Sequence, residues 1–106
     1  VKEVHDPGRY GVAEINDNKI MMIEEKPAQP KSNYAVTGVY FYDANVFSII
    51  ENLQPSNRGE LEITDVNNHY AREGKLCFDI VDGWWTDAGT FPSLALANKL
   101  ILQKEK

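Results

Sequence analysis

The sequence predicts an α/β chain, its sheet drawn mostly from the first half and its helices from the second. Two observations carry this. Residues 1–42 hold short runs rich in β-branched and aromatic side chains, separated by turn residues. Beyond residue 43, apolar side chains recur at helical spacing in three segments, with one short apolar run at residues 76–81 between the second and third.

Residues 1–4 read as a short strand closed by the turn Asp6-Pro7-Gly8. Residues 11–15 and 20–24 flank Asn16-Asp17-Asn18, which suits a tight hairpin turn. Pro27 and Pro30 bracket a loop reaching Ser32. Residues 34–42 are the strongest strand, expected to be buried on both faces. Asp43 is expected to cap a short helix carrying Val46, Phe47, Ile50 and Leu53 inward. A second helix starts near Glu60, turns Ile63, Val66, Tyr70 and Ala71 to the core and stops at Gly74. Residues 76–81 form a further strand. Thr90 caps the last helix, with Pro92 early in it, Leu94, Ala95 and Ile101 as core candidates and lysines at its end.

At 106 residues, 42% hydrophobic and 25% charged, the chain is a single unit (residues 1–106) of ordinary soluble composition. No apolar run nears the ~20 residues of a membrane span, and no signal-peptide pattern opens the chain. Opening at Val1 inside a strand is the mark expected of a cut piece. A net charge of −5 disfavours nucleic acid, yet leaves room for a small phosphorylated ligand met by a few local cations. The single Cys77, between Leu76 and Phe78, reads as a buried small hydrophobe and suits a reducing cytoplasm.

No Gly-rich phosphate loop, C-x-x-C, H-E-x-x-H or G-x-S-x-G is present. His5 and His69 stand isolated and read as surface or capping residues. Four segments carry chemistry. In Glu24-Glu25-Lys26-Pro27, a carboxylate and an ammonium can bind a sugar hydroxyl and a phosphate oxygen; the plainer reading is a solvated strand end. Gly38, in Val36-Thr37-Gly38-Val39-Tyr40, marks either a close ligand approach or a bulge. Arg58, before a helix, can grip phosphate with its planar fork or pair with Glu60 and Glu62. Asp87, in Gly83-Trp84-Trp85-Thr86-Asp87-Ala88-Gly89-Thr90, can hold a hard cation or merely shape a turn.

Taken together, these segments resemble the sugar-1-phosphate nucleotidyltransferase family, most closely its glucose-1-phosphate thymidylyltransferases. The likeness also runs through Asp6-Pro7-Gly8-Arg9-Tyr10-Gly11-Val12-Ala13 and Pro30-Lys31-Ser32-Asn33-Tyr34-Ala35, and Arg58-Gly59-Glu60-Leu61-Glu62-Ile63-Thr64-Asp65 is its most specific run. The resemblance implies a partial nucleotide-diphospho-sugar transferase fold, a mixed sheet with flanking helices and no N-terminal Rossmann-like half. It implies a reaction in which the phosphate of glucose 1-phosphate attacks the α-phosphorus of dTTP, giving dTDP-glucose and pyrophosphate. By motif match, Glu25 binds sugar hydroxyls and Lys26 the sugar phosphate. Tyr10, Gly11, Val36, Gly38 and Tyr40 line the sugar pocket. Arg58 faces the phosphate, with Lys26 as its catalytic companion, and Asp87 is one of two carboxylates on Mg²⁺.

The departures are equally plain. The family's opening G-x-G-T-R-L loop, its base-recognition strands and the second Mg²⁺ carboxylate have no counterpart here, so the chain alone is expected to be inactive. The longer C-terminal helical extension of some members is missing too. Trp84 stands where many members carry a small residue. A homo-oligomer in the cytoplasm, without nucleic acid or membrane as partner, is the expected setting. The competing readings are an enzyme for another nucleoside triphosphate or hexose phosphate, and a non-catalytic sugar-phosphate-binding module.

Overall fold

The hairpin expected around Asn16-Asp17-Asn18 is the longest pairing in the sheet. In the computed structural model, which describes residues 1–57 and 59–104 (Lys104 by its backbone alone), β2 (Gly11–Asn16) and β3 (Lys19–Glu25) pair antiparallel. Their register runs from Gly11↔Glu25 at the open end to Asn16↔Lys19 at the turn. Asp17 enters the turn at φ 56°, a left-handed conformation that aspartate tolerates better than most residues. A short β4 (Tyr34–Ala35) joins β2, and β1 (Lys2–Glu3) joins β4, so the order is β1-β4-β2-β3. Every described pairing is antiparallel, where a mixed sheet was expected. No α-helix intervenes between these strands, and parallel neighbours need such a crossover.

Three α-helices follow among the described residues: α1 (Val46–Glu51), α2 (Ile63–Arg72) and α3 (Phe91–Lys104). α2 lies along β3. Ala13, Ile20 and Ile23 form one buried cluster with Val36, Leu76 and Phe78 around it. Val46, Val66 and Tyr70 form a second, flanked by Tyr42, Ile49 and Leu53. Gly74 closes α2 at φ 70°, and Thr90 caps α3 by accepting the Ser93 N–H at 3.2 Å, both as the sequence predicts. None of the described helices is long and apolar enough to cross a membrane.

Several expectations fail for one shared reason: a β-prone or apolar run takes its regular form only against a neighbour. The strand expected over residues 34–42 ends at Ala35, one residue before Val36 N–H reaches the Gly11 carbonyl at 2.8 Å. Beyond it no described strand lies alongside, and Val39 and Phe41 are 72% and 95% exposed rather than buried on both faces. Residues 76–81 make a single bridge, Lys19↔Cys77, instead of a strand. Leu76 and Phe78 turn toward the core there, so period-two alternation sends Cys77 outward, and it is exposed. In α1, Val46 and Ile49 face inward, which leaves Phe47 and Ile50 outside. α2 begins at Ile63 rather than near Glu60, and Ile63 itself is exposed. In α3 the buried position is Ser93, while Leu94, Ala95 and Ile101 remain exposed.

Candidate functional site at the open end of the hairpin

The pairing that opens the hairpin sets Gly11 directly across from Glu25. Glu25 lies two residues beyond Ile23, hence on the same face of β3, and Ile23 is a core residue. A carboxylate thus sits at the end of an apolar face. Gly11 makes room for it: a Cβ there would stand 3.0 Å from Glu25 Oε2. On its other side the Thr64 hydroxyl donates to Glu25 Oε2 at 3.1 Å.

Lys26 follows immediately, with its N–H on the Tyr10 carbonyl at 2.9 Å. Its φ is 46°, a left-handed conformation unfavourable for a lysine. That turn carries the side chain out of the strand into an exposed position, and its ammonium makes no hydrogen bond or ion pair with any described residue. Lys31 differs. It bridges Glu24 at 3.3 Å and Glu14 at 3.7 Å, and the Glu24 carboxylate, followed by that of Glu14, holds its ammonium above the ordinary range.

Val36 is tied to Gly11 through the backbone and packs on the core. Tyr40 stacks on Tyr42 at 5.9 Å, which stacks on Tyr70 at 5.8 Å. Tyr42 donates to Asn67 Oδ1 at 2.6 Å and Tyr70 to Asp43 Oδ1 at 2.7 Å, so the ladder is pinned at two of its rungs. Burial, then the charge of Glu25, pushes the Tyr40 phenol up. Burial and the Asp43 carboxylate raise Tyr70 to about 12. The ladder borders a cavity of about 500 Å³ that also takes in Val36, Asn67 and Cys77.

The Trp84-Trp85 loop reaches the same end through Tyr10, whose ring meets Trp85 edge-on at 5.3 Å. Arg9 lies 5.4 Å above the Tyr10 ring, bonds Asp6 at 2.9 Å, and feels the charge of Asp87. Trp84 stays exposed. Asp87 is half-buried, with the Gly89 N–H on Oδ2 at 3.1 Å, and a Cβ on Gly89 would crowd that oxygen at 3.2 Å. No group of three ligating side chains converges among the described residues. A divalent cation at Asp87 would therefore draw one carboxylate from this chain and need its other oxygens from elsewhere. The residues present fit a single ligand and do not make a metal site.

Of the residues singled out by the sequence, Tyr10, Gly11, Glu25, Lys26 and Val36 come together through backbone pairing and hydrogen bonds, Tyr40 stands on the tyrosine ladder, and Asp87 follows two residues after Trp85, whose ring meets Tyr10. Gly38 is exposed, and a Cβ there would meet nothing within 4 Å, so crowding does not explain its glycine. Arg58 lies outside the described residues. Thr64 escaped the sequence reading; its one signal was its place inside the specific run that begins at Arg58.

This arrangement can bind hydroxyls at Glu25 and an anion at Lys26. The family model described as nucleotidyl transferase matches residues 1–104. A glucose-1-phosphate thymidylyltransferase of Xanthomonas campestris is 50% identical over 101 residues, 92% of this chain and 34% of that protein. One from Mycobacterium tuberculosis is 43% identical over 106 residues, 97% of this chain and 37% of that protein. A crystallised Bacillus anthracis chain, assigned to the same activity and solved in complex with sucrose, is 60% identical with a TM-score of 0.83, covering 93% of this chain and 40% of its own. The chain spans about a third of the length of the curated relatives it matches. With the family model matching nearly end to end, this chain belongs to the nucleotidyl transferase family.

Proposed function

We propose that this chain supplies the sugar-phosphate side of an enzyme that transfers dTMP from dTTP to glucose 1-phosphate. A phosphate oxygen of glucose 1-phosphate attacks the α-phosphorus, the α–β phosphoanhydride bond breaks, and pyrophosphate leaves with dTDP-glucose as product. The observation that carries the reading is the hairpin end, where a seated carboxylate and an ammonium free of described partners stand side by side. Glu25 accepts from sugar hydroxyls, and Lys26 neutralises and orients the attacking phosphate. Tyr10, Gly11, Val36, Gly38 and Tyr40 wall the sugar, and Arg58 adds a second cation. The names of the relatives favour glucose 1-phosphate and a thymidine nucleotide over other pairs.

Chemistry of this kind works with a divalent cation that neutralises charge on the reacting phosphates. This reading takes it to be Mg²⁺, with Asp87 as one ligand. The cytoplasm and a homo-oligomer belong to the same reading.

Nothing in this chain's sequence offers a Gly-rich loop to hold the triphosphate, and preorganised charge stabilisation is usually the largest catalytic contribution. The chain by itself is thus expected to release no pyrophosphate from dTTP and glucose 1-phosphate with Mg²⁺, while the whole enzyme does. Turnover that scales with purified chain would overturn this division of labour. Whole enzyme that uses neither substrate would overturn the reaction.

A further inference from the structure

We infer that Thr64 is a positioning residue that holds the Glu25 carboxylate in the orientation that reads sugar hydroxyls. The inference rests on the assignment of Glu25 to the sugar made above. Its geometry begins four residues further along α2, where the Asn68 side-chain amide takes both edge-facing groups of Ile23: the Ile23 N–H donates to Oδ1 at 2.8 Å, and Nδ2 donates to the Ile23 carbonyl at 2.9 Å. Beyond the bridge at Lys19, no described strand pairs with the outer side of β3, so this amide takes the place of one there. It fixes α2 against β3 in one register.

Four residues of helix rise about 6 Å, and two residues of strand about 6.7 Å. The clamp at Asn68 and Ile23 is therefore repeated one step on, where Thr64 meets Glu25 at 3.1 Å. Gly11, across the ladder, leaves no other side chain to occupy that seat. A carboxylate on a flexible stem otherwise samples many rotamers, and each must be given up before it can meet a sugar hydroxyl. Held by helix on one side and backbone on the other, Glu25 gives up fewer of them. Thr64 touches no substrate in this account; it acts through Glu25.

The test is made in the whole enzyme with Thr64→Val, which keeps the shape and removes the donor, Thr64→Ser, which keeps the donor, and Glu25→Gln. Thr64→Val is expected to raise KM for glucose 1-phosphate about fivefold, the weight of one net hydrogen bond, and to narrow the preference for glucose over epimeric hexose 1-phosphates. KM for dTTP and the melting temperature stay unchanged, and Thr64→Ser restores the sugar KM. If Glu25→Gln alters sugar KM and preference while Thr64→Val alters neither, Thr64 has no positioning role. A Thr64→Val effect that falls equally on both substrates, or that follows a lowered melting temperature, also overturns the inference. If Glu25→Gln leaves the sugar KM untouched, the assignment of Glu25 has failed, and the inference with it.

Discussion

Lys26 combines a left-handed backbone, unfavourable for a side chain with a Cβ, with an exposed ammonium that has no described partner. Only the first costs stability, because the ammonium stays solvated. A left-handed residue carries roughly 1–2 kcal/mol relative to an ordinary helical or extended one, and residues held this way concentrate where a protein positions a functional group. Lys31, in the loop that follows the same hairpin, shows what a scaffold lysine looks like, with two carboxylates within 4 Å. Replacing Lys26 by Gly removes the strain but also frees the unfolded chain, so the two effects partly cancel. Lys26→Gly is expected to leave the chain as stable or up to about 1 kcal/mol more stable in urea unfolding. A loss of more than about 1 kcal/mol would show that the lysine side chain is itself structural.

At the scale of elements, what could be read in advance was what is local. The two-residue turn at Asp17-Asn18, the glycine stop of α2 and the threonine cap of α3 depend on neighbours a few residues away. The run at residues 34–42 has high β-propensity at nearly every position, yet propensity of this kind reflects the fit to adjacent strands. Past Val36 that neighbour is absent from the described residues. Likewise the inward face of α1 was misjudged because Val46 and Phe47 both lie near the apolar stripe, and only the position of α2 decides between them. The candidate site was legible as separate segments: Tyr10-Gly11, Glu25-Lys26 and Trp85 to Asp87 are far apart in sequence. What joined them was the register Gly11↔Glu25, the Lys26-to-Tyr10 backbone bond and the Tyr10–Trp85 ring contact. The Thr64 contact needed the pitch of a helix matched against the rise of a strand, which no motif expresses.

Across the whole molecule, apolar surface is left uncovered on several sides. Phe41 and Phe91 are 95% and 90% exposed, and residues 37–42 carry backbone groups outside any described ladder. Exposed apolar area next to unpaired extended backbone favours association with another chain, including exchange of identical segments between copies. The isolated chain is thus expected to self-associate, its weight-average sedimentation coefficient rising with concentration. A constant monomer value across the range would mean that this surface is tolerated in water.

In the function proposed above, the hairpin end serves the sugar phosphate and not the nucleotide. The most direct measurement is the pair of Michaelis constants of Lys26→Ala in the whole enzyme, with Lys31→Ala beside it. Loss of a charge-assisted bond to phosphate costs about 1.5–3 kcal/mol, roughly ten- to hundredfold. That loss is expected in kcat/KM for glucose 1-phosphate, with an unchanged KM for dTTP and near-normal values for Lys31→Ala. Equal kinetics for the two variants, or a Lys26→Ala defect confined to dTTP, would contradict that role.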